Sequence, residues 1–386
     1  MVELPELKGK TILQVAPELS AGGVERTVLE VTEAIVEAGG RALLASKGGR
    51  LEPEFARLGG ALFRMDAKSR NPVTIKLNEG RLRQIIREEK VDLVHARSRA
   101  PAWSAWAAAK AEGVPFVTTY HGAYSGTTGL KRAYNSVMAK GDVVIANSDW
   151  IAAHIAEVHE VDPARIVTIP RGVDLEAFDP DAIAPARVET LRKAWGLEGD
   201  TRLVLLLPGR LTSWKGQSLA LDALALLAPE ERAGLVLILA GDAQGRDDYV
   251  HELEQKITAL GLASHARIVE HVTDMPAAYL AAGLVLAPST RPEAFGRVAA
   301  EASAMARPVI VADHGGARET VVEYVTGTRT EPGNAAALAG AIRAMLSLGP
   351  AARLSMGREG RAHVARHFSK RGLQAATLSV YKRLLE

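Results

Sequence analysis

The chain has no cysteine among its 386 residues, which excludes disulfides, thiolate zinc sites and cysteine nucleophiles and permits a reducing compartment. Aromatic residues make up only 5%. No aromatic-basic recognition motif accompanies the positive charge, so nucleic acid is not an expected partner. Apolar runs are short: residues 233–240 fall far below the ~18 needed to cross a bilayer. The opening MVELPELKGK lacks an apolar core of signal-peptide length. The expected setting is cytoplasmic, including a peripheral position on the cytoplasmic face of the inner membrane. No G-x-G-x-x-G string occurs, which argues against a nicotinamide or flavin reading. No cofactor and no essential metal are expected.

What is present reads as an ordinary soluble composition, with 47% hydrophobic and 24% charged residues. The length suits two domains of ~100 to 200 residues each. The formal net charge of +2 hides an uneven distribution: residues 41–140 carry 18 Lys and Arg against 8 Asp and Glu, and residues 1–40 carry 3 against 7. Such a basic stretch suits an anionic membrane surface or a phosphorylated acceptor, or is simply a solvated face.

Short β-rich runs recur with helical stretches between them: 11–15, 42–46, 92–96, 115–120, 142–147 and 165–170. A second series follows at 203–209, 234–241, 266–270, 283–289 and 307–313. The alternation predicts α/β architecture with two Rossmann-like, doubly wound halves. Turn signals and the absence of a strand-like run over residues 171–200 place the boundary near Asp174, giving domains 1–174 and 175–369. Residues 370–386 form an amphipathic terminal helix, with Leu373, Ala376, Leu378, Val380, Tyr381 and Leu384 at roughly helical spacing.

Open α/β sheets bind ligands beyond the carboxyl ends of their strands, so those loops hold the candidates. Gly22 and Gly23 in APELSAGGVER precede a helix and let backbone amides approach an anion. Arg210 and Lys215 in GRLTSWKGQ suit a diphosphate, or are a pair of solvated cations. In RPEAFGRVAAE, Glu301 lies inside an Ala/Val-rich helix, where a carboxylate needs a partner such as two ribose hydroxyls. Glu293, nearer the helix start, reaches a sugar, and the amides from Phe295 to Val298 face a phosphate. The other reading is a capping Glu293 with a surface Glu301.

Four separated elements now agree in order and spacing: AGGVER, IPRGVD at 169–174, GRLTSWKG at 209–216, and PEAFGRVAAE at 292–301 followed by GGARE at 315–319. Together they resemble glycosyltransferase family 4, retaining enzymes that include bacterial envelope and lipopolysaccharide sugar transferases. The resemblance implies the GT-B fold, two Rossmann-like domains facing a cleft with the C-terminal helix crossing back to the N-terminal domain. It assigns the donor diphosphate to Arg210 and Lys215, the ribose to Glu301 and the transferred sugar's hydroxyls to Glu293. Ala294, Phe295, Gly296 and Val298 join the donor site, with main-chain contacts from Phe295 and Gly296, and Gly22 and Gly23 complete it. It also suggests that His121, in TTYHGAY, contacts the sugar. The implied co-substrate is a UDP- or GDP-linked sugar, and the acceptor a hydroxyl of a saccharide or lipid-linked saccharide.

Arg97, Arg99 and Tyr124 are the acceptor candidates, through a phosphorylated or acidic group. The segment 75–89, with Leu77, Leu82, Ile85 and Ile86 among Arg81, Arg83 and Arg87, is either a sheet-covering helix or a face for an anionic membrane. Trp103 and Trp106 pack in a core or stack on acceptor. Asp179-Pro180-Asp181 mimics a metal-binding D-x-D but reads as a proline turn. Two rival functions share the nucleotide site: a sugar-nucleotide epimerase, which needs no acceptor, and a catalytically silent sugar-nucleotide-binding protein.

Overall fold

The apolar segments build two fully parallel sheets. The structure, a computed structural model, describes residues 2–20, 22–124 and 129–386. The first sheet contains β1 (Thr11–Val15), β2 (Arg41–Ser46), β3 (Ala61–Arg64), β4 (Leu93–Ala96), β5 (Phe116–Tyr120), β6 (Val143–Ala146) and β7 (Ile166–Thr168), in the order β3-β2-β1-β4-β5-β6-β7. The second contains β8 (Leu203–Pro208), β9 (Leu235–Ala240), β10 (Ala266–Val269), β11 (Leu284–Ala287), β12 (Val309–Ala312) and β13 (Gly327–Thr330), in the order β10-β9-β8-β11-β12-β13. Helices follow most strands, as parallel connections require.

The chain divides into two compact units: one runs to Gly172 and takes in Lys370–Glu386, and the other spans Val173–Ser369. In the first unit, the terminal helix Lys370–Leu385 buries Leu373, Gln374, Thr377, Leu378 and Tyr381 on a core with Ile12, Val31, Ile35 and Leu93. Ala376 is exposed, one step off that stripe. Gln374 donates to the Glu30 carbonyl at 2.9 Å, and Arg371 grips Glu37 at 2.7 Å, tying this helix to Gly23–Glu37.

Two strands escape the sequence reading, and both are sheet edges. β3 reads ALFR and β13 reads GTRT, so neither presents the continuous apolar run of a strand buried on both faces. Residues 171–200 contain no strand, and the helix Pro185–Ala194 lies within them. Asp179 accepts from the Asp181 amide in a proline turn and pairs with Arg361 at 3.0 Å. That interaction occupies the first acid of the D-x-D string.

Candidate functional site

In the second sheet the strand order reverses between neighbouring β8 and β11, the position at which doubly wound sheets bind ligands beyond their carboxyl ends. The loop after β8 turns through a 3-10 segment, Ser213–Lys215, into the helix Gln217–Ala225. Gly216 joins them at φ 86°, and a Cβ there would lie 2.3 Å from the Pro288 carbonyl oxygen. Only glycine permits that conformation and that approach. The Thr290 amide donates to the Trp214 carbonyl at 2.7 Å, stitching the two loops together.

Their closeness brings Lys215 Nζ within 2.9 Å of Glu293 Oε1, with the side chains only 14% and 12% exposed. Ser289 Oγ donates to the same carboxylate oxygen, and the Lys215 ammonium sits 4.6 Å from the Trp214 ring centroid. The expected phosphate cation and the expected sugar ligand are therefore paired with each other. Arg210 is exposed and makes no side-chain hydrogen bond or ion pair among the described residues.

The helix Arg297–Ala304 starts at Gly296, φ 94°, with no side-chain cap. Its first amides are oriented toward any anion placed there. The segment GGARE packs on the preceding loop, with the Gly316 amide donating to the Glu293 carbonyl at 2.7 Å. His314 Nε2 donates to the Ser289 carbonyl at 2.8 Å. Phe295 turns its ring into the core, edge-on to Phe368 at 5.4 Å, leaving its main chain to the loop. Glu301 has its partners inside the protein. Arg297 donates to Oε1 at 2.9 Å and the buried Tyr279 hydroxyl to Oε2 at 2.9 Å. Burial of this carboxylate thus demands no ligand, contrary to the inference from sequence, although each oxygen keeps further acceptor capacity.

In the first sheet the order reverses between β1 and β4. Gly22 caps Gly23–Glu37 at φ 131°, and a Cβ on it would lie 2.8 Å from Glu25 Oε2. An acidic side chain already faces this helix end, and burial raises its pKa. After β5, His121 Nδ1 lies 2.7 Å from Arg171 NH2, whose NH1 donates to the Gly23 carbonyl at 2.8 Å and to Thr27 Oγ1. Burial first, then the Arg171 and Arg97 charges, hold His121 well below the usual histidine pKa.

Arg97 is not placed to meet an acceptor: it is 1% exposed, with Nε and NH2 donating to Gln14 Oε1 at 2.9 and 2.6 Å. Thr119 and Tyr381 complete its surroundings, and His95 bridges the same two hydroxyls at 2.7 and 2.6 Å. Arg99 stacks 4.0 Å from the Tyr124 ring centroid and donates to Asn135 at 2.8 Å. Trp103 and Trp106 pack edge to face, their centroids 6.2 Å apart. The segment 75–89 lies in the helix Pro72–Glu88, which buries Leu82, Ile85 and Ile86 and ties Arg83 and Arg87 to Glu112 at 2.7 Å each. Those apolar residues belong to the protein core rather than to a lipid face. Among the described residues no three His, Asp or Glu converge as a metal site, and no single helix is long and apolar enough to cross a membrane.

Sequence reasoning did not find Trp214, Tyr279, Ser289, Arg297, His314 or Arg171 as members of these sites. Of these, Arg297, four residues before Glu301 on one helix face, and Arg171 and Trp214, within IPRGVD and GRLTSWKG, carried a signal.

Two parallel sheets, each with its own reversal point, define a two-domain, doubly wound α/β architecture. Residues 21–177 match Glycosyltransferase Family 4 and residues 188–363 match Glycosyl transferases group 1. The D-inositol 3-phosphate glycosyltransferase of Xylanimonas cellulosilytica is 33% identical over 313 residues, covering 75% of this chain and 71% of that protein. The enzyme of the same name from Kineococcus radiotolerans is 31% identical over 332 residues, covering 78% and 73%. A glycosyltransferase crystal structure from Rickettsia africae superposes with a TM-score of 0.90 at 34% identity, covering 98% of this chain and 99% of that one. Anabaena HepE, solved in complex with UDP-glucose, gives 0.81 at 25% identity, covering 97% and 99%. The fold is GT-B, and the chain belongs to the group 1 glycosyltransferases.

Proposed function

We propose that the protein transfers a hexose-type sugar, with retention, from a nucleotide-diphosphate sugar to a hydroxyl of a saccharide or lipid-linked saccharide. The observation that carries this reading is the Lys215–Glu293 pair beside exposed Arg210 at the β8/β11 reversal, next to the uncapped start of Arg297–Ala304. In the proposed step the bond from the anomeric carbon to the diphosphate oxygen breaks, and the acceptor oxygen bonds that carbon from the same face. The acceptor proton passes to the leaving phosphate. Arg210, Lys215 and the helix amides stabilise the departing charge. Glu293 binds sugar hydroxyls, Glu301 the ribose, and His121 the transferred sugar. No protein nucleophile is used. Because cations and amides answer the diphosphate charge, activity should persist in a chelator; loss restored by Mg²⁺ overturns that part.

UDP is the first nucleotide to test, since a structural neighbour was solved with UDP-glucose. The relatives' name, D-inositol 3-phosphate glycosyltransferase, supports a second acceptor reading, a phosphorylated polyol. The lipid-linked reading draws on exposed Val73 and Leu77, 67% and 66% accessible, within the basic stretch. A thermal-shift panel of UDP-, GDP- and ADP-sugars on wild type and Glu301→Ala tests the donor. Absence of stabilisation of wild type by all of them sinks the reading. Inositol phosphates and lipid-linked saccharides offered as acceptors then decide the second half.

A further inference from the structure

We propose that Arg171 is a positioning residue that locks His121 into the neutral tautomer protonated on Nε2, so that His121 presents a donor to a sugar hydroxyl oxygen. This rests on the reading that His121 contacts the transferred sugar.

The geometry begins with the 2.7 Å contact between Arg171 NH2 and His121 Nδ1. A guanidinium has donors and no acceptor, so in this hydrogen bond Nδ1 must supply a lone pair. An imidazole accepting on Nδ1 is not a cation, and its one ring proton sits on Nε2. Arg171 cannot swing away easily. It is 6% exposed, and its NH1 is held by the Gly23 carbonyl at 2.8 Å and by Thr27 Oγ1. The three anchoring points come from different places on one sheet: His121 follows β5, Arg171 follows β7, and Gly23 and Thr27 belong to the helix after β1.

The opposite ring nitrogen is where the consequence appears. His121 Nε2 is sealed from solvent and has no hydrogen-bond partner among the described residues. A buried N–H without an acceptor is costly, and a hydroxyl oxygen is the kind of partner that relieves it. The surrounding groups reinforce neutrality. Arg171 and buried Arg97 are the cations acting on the ring, and His95 is also coupled to it. Tyr124 takes a hydrogen bond from the His121 backbone, and Glu25 is the acid coupled to Arg171. Two cations beside the ring oppose a third positive charge, so His121 keeps one hydrogen-bonding role across pH values at which an ordinary histidine switches.

The test uses ¹⁵N-histidine-labelled full-length protein. Long-range ¹H–¹⁵N correlations assign the His121 tautomer, and Kd is measured for UDP and UDP-glucose, or for the GDP or ADP pair if that base binds. Wild type should show the Nε2–H form and remain neutral through about pH 6.5. Arg171→Leu should mix the tautomers, raise the pH at which His121 charges, and lower the Kd(UDP)/Kd(UDP-glucose) ratio about 10- to 100-fold. Arg171→Lys, which keeps one charged donor, should restore much of that ratio. A wild-type proton on Nδ1, a wild-type imidazolium at pH 7, or an unchanged tautomer and ratio in Arg171→Leu overturns the proposal. If Arg171→Leu fails to fold, the wild-type spectrum and Arg171→Lys still decide. If no sugar nucleotide binds wild type, the sugar-site reading fails while the spectrum still judges the Arg171–His121 pair.

Discussion

Lys215 and Glu293 meet at 2.9 Å although 78 residues separate them, because the loops that carry them leave adjacent parallel strands. With both side chains largely buried, each charge depends on the other, and removing one leaves an uncompensated ion in a poorly solvated place. Lys215→Met should therefore lower unfolding stability by roughly 3 kcal/mol. Adding Glu293→Gln should recover much of that loss, giving a favourable coupling in a double-mutant cycle. Activity should behave differently: the single variant should lose about 10²- to 10³-fold in kcat/KM, and the second change should not restore it. Additive stabilities would show that the pair is not a coupled unit.

Tyr279 and Glu301 support a separate prediction. The Tyr279 hydroxyl donates to Glu301 Oε2 while Arg297 holds Oε1, so the carboxylate has one fixed orientation. Tyr279→Phe keeps the buried ring and removes only the donor. If Glu301 binds ribose, the Kd for UDP should rise about tenfold while that for 2′,3′-dideoxy-UDP changes little, because the lost precision bears on the hydroxyl contacts. Equal weakening of both nucleotides would place Tyr279 in general structural support instead.

These residues show what could be read in advance. Interior strands such as LVLILA at 235–240 were legible because a strand covered on both faces must be apolar throughout. Edge strands β3 and β13, half polar, gave no such signal. Lys215 and Glu293 were legible as loop residues at strand ends, yet their contact depends on strand order, which the chain does not spell out. Arg97 was misplaced because a charged residue after a strand ordinarily faces water. Here Gln14, Thr119 and Tyr381 satisfy its donors inside the first unit.

Gly216 separates two costs that are usually mixed. At φ 86° any side chain is strained, and a Cβ would also strike the Pro288 carbonyl oxygen at 2.3 Å. Gly199, at φ 70°, has nothing within 4 Å of its would-be Cβ. Gly199→Ala should lose about 1 kcal/mol from backbone strain alone. Gly216→Ala should lose more, roughly 3 kcal/mol, and should weaken nucleotide binding by shifting the Lys215 turn. Denaturant melts and nucleotide Kd for both variants check this; equal losses would mean the loops are not held by their close approach.

Glu112 carries a pH signature. Hydrogen bonds from Arg87 and then Arg83 lower its pKa to about 2, from a usual carboxylate value of about 4.3 in the unfolded chain. A carboxyl whose folded pKa is depressed contributes stability that is fully present above the unfolded pKa, and lost as pH falls through the folded one. Wild type should therefore melt at a higher temperature than Glu112→Gln at pH 7. That gap should hold down to about pH 5, narrow between about pH 4.5 and pH 2, and then close. Since the Arg83 and Arg87 side chains are 38% and 61% exposed, added salt should shrink the pH 7 gap as well. A gap that is independent of both pH and salt would assign the contribution of Glu112 to packing of the Pro72–Glu88 and Arg99–Glu112 helices rather than to its charge.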